Sequence, residues 1–327
     1  MSLADGHGRV HRDLRISLTD HCNLRCTYCM PTEGVPWLPR TTLLRPEELM
    51  RVVRLAVGLG ITEVRLTGGE PLLRPDIVEV VSAIASIDTP PEISLTTNGI
   101  GLARTAAALA EAGLARVNVS LDTLDAERFH RLTRRDRLDD VLAGLAAADA
   151  AGLRPIKLNT LLLRGVNDDE APALLRFARE HCFELRFIEQ MPLDAGHIWS
   201  REAMITGAEI LDLLRHEVTL EPIPGRGAAP AERYLVDGGP DIVGVIASVT
   251  QPFCGACDRL RLTADGQLRS CLFSQTESDL RTPLRSGASD DELAEVFYRC
   301  LAGKLPGHGI NDPGFLQPPR PMSAIGG

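Results

Sequence analysis

The sequence predicts an α/β fold: an incomplete (β/α)6 TIM-like barrel followed by a C-terminal α+β segment, with a doubly wound sheet as the other candidate. Two observations carry this. Six apolar, strand-like segments recur with helical signals in most of the gaps between them, and polar residues alternate with apolar ones along those strands.

The strands fall near 14–18, 63–67, 92–97, 116–121, 155–161 and 184–188. Pro46 with Glu47 and Glu48 opens the first helix, and Gly58 or Gly60 closes it. Segments 76–85, 102–112, 138–151 and 168–179 repeat the helical pattern. Alternating βα units imply a parallel sheet with right-handed crossovers. Parallel strands covered on both faces read as continuous apolar runs. Here one parity carries Arg15, Ser17 and Thr19; Arg65 and Thr67; Ser94, Thr96 and Asn98; Asn118, Ser120 and Asp122; Lys157 and Asn159. The other parity, from Leu14, Ile16 and Leu18 to Ile156 and Leu158, suits a helix layer. A packed barrel fills its lumen with branched side chains, so polar lumen positions predict that a ligand fills the space. The competing reading, an antiparallel sheet with one wet face, sits badly with the intervening helices.

After about residue 190 the βα rhythm stops. Pro222 to Pro230 reads as a loop or linker, and 242–327 as a mixed segment rich in Gly and Pro with one helix near 290–302. The expected division is a barrel over 9–224 and a closing segment over 225–327.

Charged residues are 24% and hydrophobic residues 44% of the 327, which excludes a disordered or fibrous chain. No apolar run approaches the ~20 residues that span a bilayer, and the start has no secretory core, so the expected location is the cytoplasm. A net charge of -9 opposes bulk attraction to nucleic acid or membrane, and an anionic partner must use a local basic pocket. Eight cysteines without an export signal point to thiols, a metal or catalysis rather than disulfides.

Cys22, Cys26 and Cys29 form C-x3-C-x2-C directly after the first strand. Three thiolates can ligate three irons of a cubane cluster and leave the fourth open, where a small molecule can chelate through an amino and a carboxylate group. Zinc with His21 or a distant fourth ligand is the alternative. The position favours the cluster, because active sites are built at the strand C-termini of βα barrels. Cys254, Cys257 and Cys271 form a second triad, again with no adjacent fourth ligand; a zinc knob or a redox C-x-x-C is the competing reading. Cys182 and Cys300 read as buried packing residues.

With Tyr28 before the last cysteine, and Gly68-Gly69-Glu70-Pro71 after the second strand, the first triad resembles the signature of the radical S-adenosylmethionine (SAM) superfamily. The second triad, Arg259-Leu260-Arg261 and the terminal Gly326-Gly327 narrow the resemblance to the GTP 3',8-cyclase family of molybdenum-cofactor biosynthesis, over Arg15 to Gly327. That resemblance implies two 4Fe-4S clusters, on Cys22, Cys26 and Cys29 and on Cys254, Cys257 and Cys271, at opposite barrel mouths. It implies SAM contacts from Tyr28, Gly69, Ser120 and Met191, and GTP contacts from Arg15, Arg65, Thr96, Lys157, Arg259, Leu260 and Arg261. Catalytic roles fall to Arg15, Arg259, Arg261, Gly326 and Gly327. The implied reaction is hydrogen abstraction from ribose C3', attack on guanine C8 and a final reduction.

Residue chemistry agrees with an anionic substrate. GTP carries roughly four negative charges, which call for clustered cations. Arg15, Arg65 and Lys157 share the polar parity of three strands, and only Lys157 and Lys304 are lysines. The Gly-Gly terminus alone reads as a frayed end. Asp258 stands where the family often has Asn, and it is expected to leave function intact. Implied partners are GTP, SAM and an electron donor, with the cyclic pyranopterin monophosphate synthase and a homodimer mate as further candidates, and no nucleic acid or membrane. The rival readings are a radical SAM enzyme acting on a peptide or other small molecule, and a zinc-stabilised barrel that only binds nucleotides.

Overall fold

The computed structural model describes residues 2–326. Six βα units come first: β1 (Asp13–Ser17) and α1 (Pro46–Gly58), β2 (Glu63–Thr67) and α2 (Ile77–Ala85), β3 (Glu92–Thr97) and α3 (Leu102–Glu111), β4 (Arg116–Ser120) with α4 (Ala126–Thr133) and α5 (Leu138–Ala150), β5 (Lys157–Leu161) and α6 (Ala171–Glu180), and β6 (Glu184–Ile188) and α7 (Gly207–Arg215). There follow β7 (Leu220–Ile223), β8 (Glu232–Val236), β9 (Ile242–Ile246), β10 (Arg259–Leu262), β11 (Gln267–Arg269) and β12 (Ser278–Asp279), then α8 (Arg281–Arg285), α9 (Asp290–Ala302) and α10 (Met322–Ile325). All six expected strands form. The short α4 was not foreseen; its signal was Asp125, whose carboxylate caps it by accepting from Arg128 N at 2.8 Å.

The strands make one sheet in the order β12-β11-β10-β1-β2-β3-β4-β5-β6-β9-β8-β7. The C-terminal segment therefore does more than follow the barrel. β10 pairs in parallel with β1 and β9 in parallel with β6, so eight parallel strands run side by side. Residues from all eight line one cavity, which a flat sheet could not achieve; the sheet curls around it. The outer strands β9 and β10 are not paired with each other among the described residues, and the curl stays open there. Pro222, expected in a loop, lies within β7, the last edge strand, where a missing N–H costs no ladder bond.

Leu14, Ile16, Val64, Leu66, Leu95, Val117, Val119, Leu158 and Leu260 are fully buried on the outward parity, beneath the helices. Each such side chain stabilises the fold by about 1.5–3 kcal/mol relative to exposure. In α1 the buried Leu49, Val52, Val53 and Ala56 recur at helical spacing and face this layer. The register aligns the inward parity as well, with Arg15 level with both Arg65 and Arg261. Of the two isolated cysteines, Cys300 is buried as expected. Cys182 is instead exposed, because it occupies the left-handed turn (φ 55°) that ends α6. Among the described residues no helix is long and apolar enough to cross a membrane.

Candidate active site

The first triad sits at the C-terminal mouth of the parallel strands. Between Cys26 and Met30 the loop turns back on itself, with Cys29 N and Met30 N both donating to Cys26 O, at 2.9 and 3.0 Å. The end of α4 clamps it from outside: Arg25 N donates to Thr133 O and Thr27 N to Leu132 O, and Arg134 reaches the carbonyls of Arg25 and Met30. From inside, Gly69 N donates to Thr19 O and Glu70 N to His21 O, each at 2.7 Å. A Cβ on Gly69 would lie 2.3 Å from His21 O, so only glycine permits this approach.

Glu70 is fully buried and accepts from Leu72 N, Thr97 Oγ1 and Asn98 N; burial still lifts its pKa to about 7. It ties the Gly-Gly turn to the end of β3. Tyr28 donates to Asp122 at 2.6 Å, and burial raises that carboxyl to about 6.

The three thiols line a cavity of about 170 Å³ with Tyr28, Gly68, Gly69, Ser120 and Asp122. Burial raises all three, Cys29 to about 12, and in Cys26 the neighbouring Cys29 adds to it. Ligation requires thiolates, so this donor set calls for cationic metal to hold it ionised. Among the described residues no three His, Cys, Asp or Glu side chains gather closely enough to hold a single ion. Three thiols around a cavity suit the three-thiolate corner of an iron-sulfur cubane.

The second triad lies at the opposite, N-terminal mouth. Cys254 and Cys257 occupy the turn just before β10, and the antiparallel β10–β11 pairing returns the chain so that Cys271 comes back to the same end. An inner cavity of about 70 Å³ joins the triad to the lumen, and an outer one of about 550 Å³ faces away from it. Burial raises the Cys257 thiol, but Arg259 and Lys304 outweigh it and leave the pKa below the usual value.

Between the mouths the lumen holds a cavity of about 260 Å³. Arg15, Arg65, Arg186, Arg259 and Arg261 face it, with Thr96, Ser120 and Met191. Burial lowers the pKa of Arg15, Arg65 and Arg261, and the neighbouring arginines push the same way; guanidinium nonetheless remains charged at neutral pH. Arg15 Nε and both Nε and Nη2 of Arg259 are buried without a hydrogen-bond partner. Such donors fit a polyanion, since buried N–H groups are ordinarily paired. Asp13, below Arg15, is the carboxylate whose pKa these arginines hold down against its burial.

Most expected residues converge on this chain of cavities, with three qualifications. Leu260 points outward into the core, so only its main chain can face a ligand. Lys157 lies off the main cavity with Nζ 3.9 Å from Glu184. The described tail does not fray: Gly326 is buried against Ser17 and Thr67, and its carbonyl accepts from Arg261 Nη1 at 2.5 Å, whereas Gly327 lies outside the described residues. Sequence reasoning missed Arg186, although extending the polar parity to the sixth strand would have found it, since Arg186 is in register with Asn159.

Two family models cover the chain: Radical SAM superfamily over residues 16–178 and Molybdenum Cofactor Synthesis C over 183–310. The GTP 3',8-cyclase of Streptomyces coelicolor is 62% identical over 99% of this chain and 96% of its own. The chain belongs to the GTP 3',8-cyclase family. GTP 3',8-cyclase 2 of Mycobacterium tuberculosis agrees, at 58% identity over 99% of this chain and 92% of its own. Among solved structures, SAM-bound SuiB of Streptococcus suis matches at a TM-score of 0.61 and 15% identity, over 89% of this chain and 69% of its own, which is a likeness of fold alone. As members of the radical SAM superfamily, the cyclases use SAM and 4Fe-4S clusters, and the two thiol triads are the donor sets available for them here.

Proposed function

We propose that this chain is a radical SAM GTP 3',8-cyclase. It converts GTP to (8S)-3',8-cyclo-7,8-dihydroguanosine 5'-triphosphate in the first step of molybdenum-cofactor biosynthesis. The observation that carries this reading is the series of three connected cavities, one thiol triad at each end and five arginines in the middle. When bound, SAM and the first cluster, held by Cys22, Cys26 and Cys29, would supply the one-electron chemistry for hydrogen abstraction, and a second cluster, held by Cys254, Cys257 and Cys271, would supply a metal site for the guanine end of the substrate.

The chain's own residues then divide the work. Cys22, Cys26 and Cys29 hold one cluster and Cys254, Cys257 and Cys271 the other. Tyr28, Gly69, Ser120 and Met191 bound the SAM side. Arg15, Arg65, Arg186, Arg259 and Arg261 neutralise the triphosphate, with Thr96, Lys157 and the Leu260 main chain beside them. Gly326 closes the substrate site through the Arg261 contact, and the terminal Gly327 shares its catalytic role. The lumen wall excludes water from reactive intermediates. In this reading residues 9–224 supply the SAM side and 225–327 the second triad and tail. An electron donor completes the system, and the cyclic pyranopterin monophosphate synthase takes the product.

Anaerobic reconstitution followed by product analysis tests the reading. GTP, but not ATP, is expected to consume SAM and yield the cyclised nucleotide; equal turnover of both nucleotides would remove the guanine assignment.

Lys157 predicts a pH dependence. Burial, reinforced by Arg186, lowers its pKa to about 8 against the pull of Glu184. Below that pH it is charged and attracts phosphate; above it the empty site has lost the charge. GTP affinity should therefore weaken as pH rises past about 8, by at most about tenfold per pH unit from this group. Lys157→Arg should flatten the curve between pH 7 and 8.5 in a binding titration. Superimposable profiles for the two proteins would count against Lys157 as a phosphate contact.

A further inference from the structure

We propose that Lys304 is a built-in countercharge for the second thiol triad, a positioning residue that raises the reduction potential of the cluster held there. This rests on reading Cys254, Cys257 and Cys271 as cluster ligands.

Lys304 follows α9 and is 5% exposed. Its ammonium donates to Arg259 O at 3.0 Å, to Cys257 O at 3.4 Å and to the Cys257 sulfur at 3.8 Å. Three donors thus go to two carbonyls and one thiol. Among the described residues it forms no ion pair with a carboxylate, in contrast to Lys157 with Glu184. Arg9 and Arg259 add like charge nearby; the Asp258 carboxylate attracts Lys304, but its largest favourable partners are Cys257 and Cys271. Burying an ammonium is costly without a compensating anion, so the geometry calls for negative charge on the sulfurs.

The position is braced. Arg9, paired with Asp5 at 2.6 Å, donates to Cys254 O, Leu305 O and Pro306 O, fixing both the cysteine turn and the loop that leaves Lys304. At the first triad the side-chain donors beside sulfur are neutral, Asn98 at 4.0 Å from Cys22 and Tyr28 beside Cys26, while Arg25 spends its contacts on carbonyls. The two clusters therefore differ in their outer shell. A fixed cation that bonds a ligand sulfur favours the more negative, reduced state, and net charge and hydrogen bonds to sulfur are levers on cluster potential.

The test uses the full chain, anaerobically reconstituted, with both clusters followed by EPR-monitored redox titration. Lys304→Met keeps the stem and removes the charge; Lys304→Arg keeps the charge. The expected result is a lower midpoint for the second cluster in the Met variant, no change in the first, and recovery in the Arg variant. If the Met variant loses the second cluster's iron and the Arg variant keeps it, charge is again what holds the site. An unchanged second midpoint in the Met variant, or an Arg variant as impaired as Met, would overturn the inference. A wild-type protein with only one cluster would instead overturn the ligand assignment beneath it.

Discussion

Replacing Arg261 by alanine is expected to weaken GTP binding about thirtyfold and to abolish cyclised product, with the iron of both clusters retained. Arg261 lies on the inward parity of β10, level with Arg15 and buried. It faces the lumen and also holds the tail, through its bond to Gly326 O. A hydrogen bond to a charged group contributes about 1.5–3 kcal/mol. Loss of about 2 kcal/mol corresponds to a factor near thirty. The alanine also leaves the Gly326 carbonyl buried without its donor, which loosens the tail against Ser17 and Thr67. Arg261→Lys should fall between the two, since an ammonium keeps the charge but not the planar fork. Anaerobic calorimetry with GTP measures the affinity and chromatography the product. An affinity within twofold of wild type would remove Arg261 from the substrate site.

Gly69→Ala should be the most damaging single methyl in the chain. The added Cβ would lie 2.3 Å from His21 O and 2.4 Å from Asp20 O, both backbone atoms. Neither can swing aside as a flexible side chain would. Moving them pulls on the segment that leads into Cys22 and on the Gly69–Thr19 and Glu70–His21 bonds. Overpacking against rigid neighbours costs about 3 kcal/mol or more in such a place. The expected outcome is a lower denaturant midpoint together with loss of the first cluster's EPR signal, while the second cluster persists. Gly58→Ala is the matched control, because a Cβ there meets nothing within 4 Å and lies in a helix that prefers alanine. Equal behaviour of the two variants would show that the approach at Gly69 is not required.

The cysteine loop and the lumen were legible for a local reason. Cys22, Cys26 and Cys29 and the Cys254–Cys257 pair are short spacings, and the inward parity is a period-two pattern that each strand carries by itself. The helices followed from caps and periodicity of the same short range. What the sequence could not display is which strands meet. IVGVI at 242–246 lies in the mixed segment where the rhythm has already stopped, yet it joins β6, and Arg259–Leu262 from the same segment joins β1 at the other end of the chain.

The linear chain by itself determined the six βα units, the first thiol set with the Cys254–Cys257 pair, and the placing of cations on one parity of each strand, because these depend on neighbours a few residues apart. Tertiary structure alone decided that the two triads open on one continuous space, that α4 clamps the first, that the tail docks on Arg261 and that Lys304 meets the Cys257 sulfur. Those are contacts between distant segments, fixed by strand register and by the need to pair buried charge, and neither is written in any local pattern.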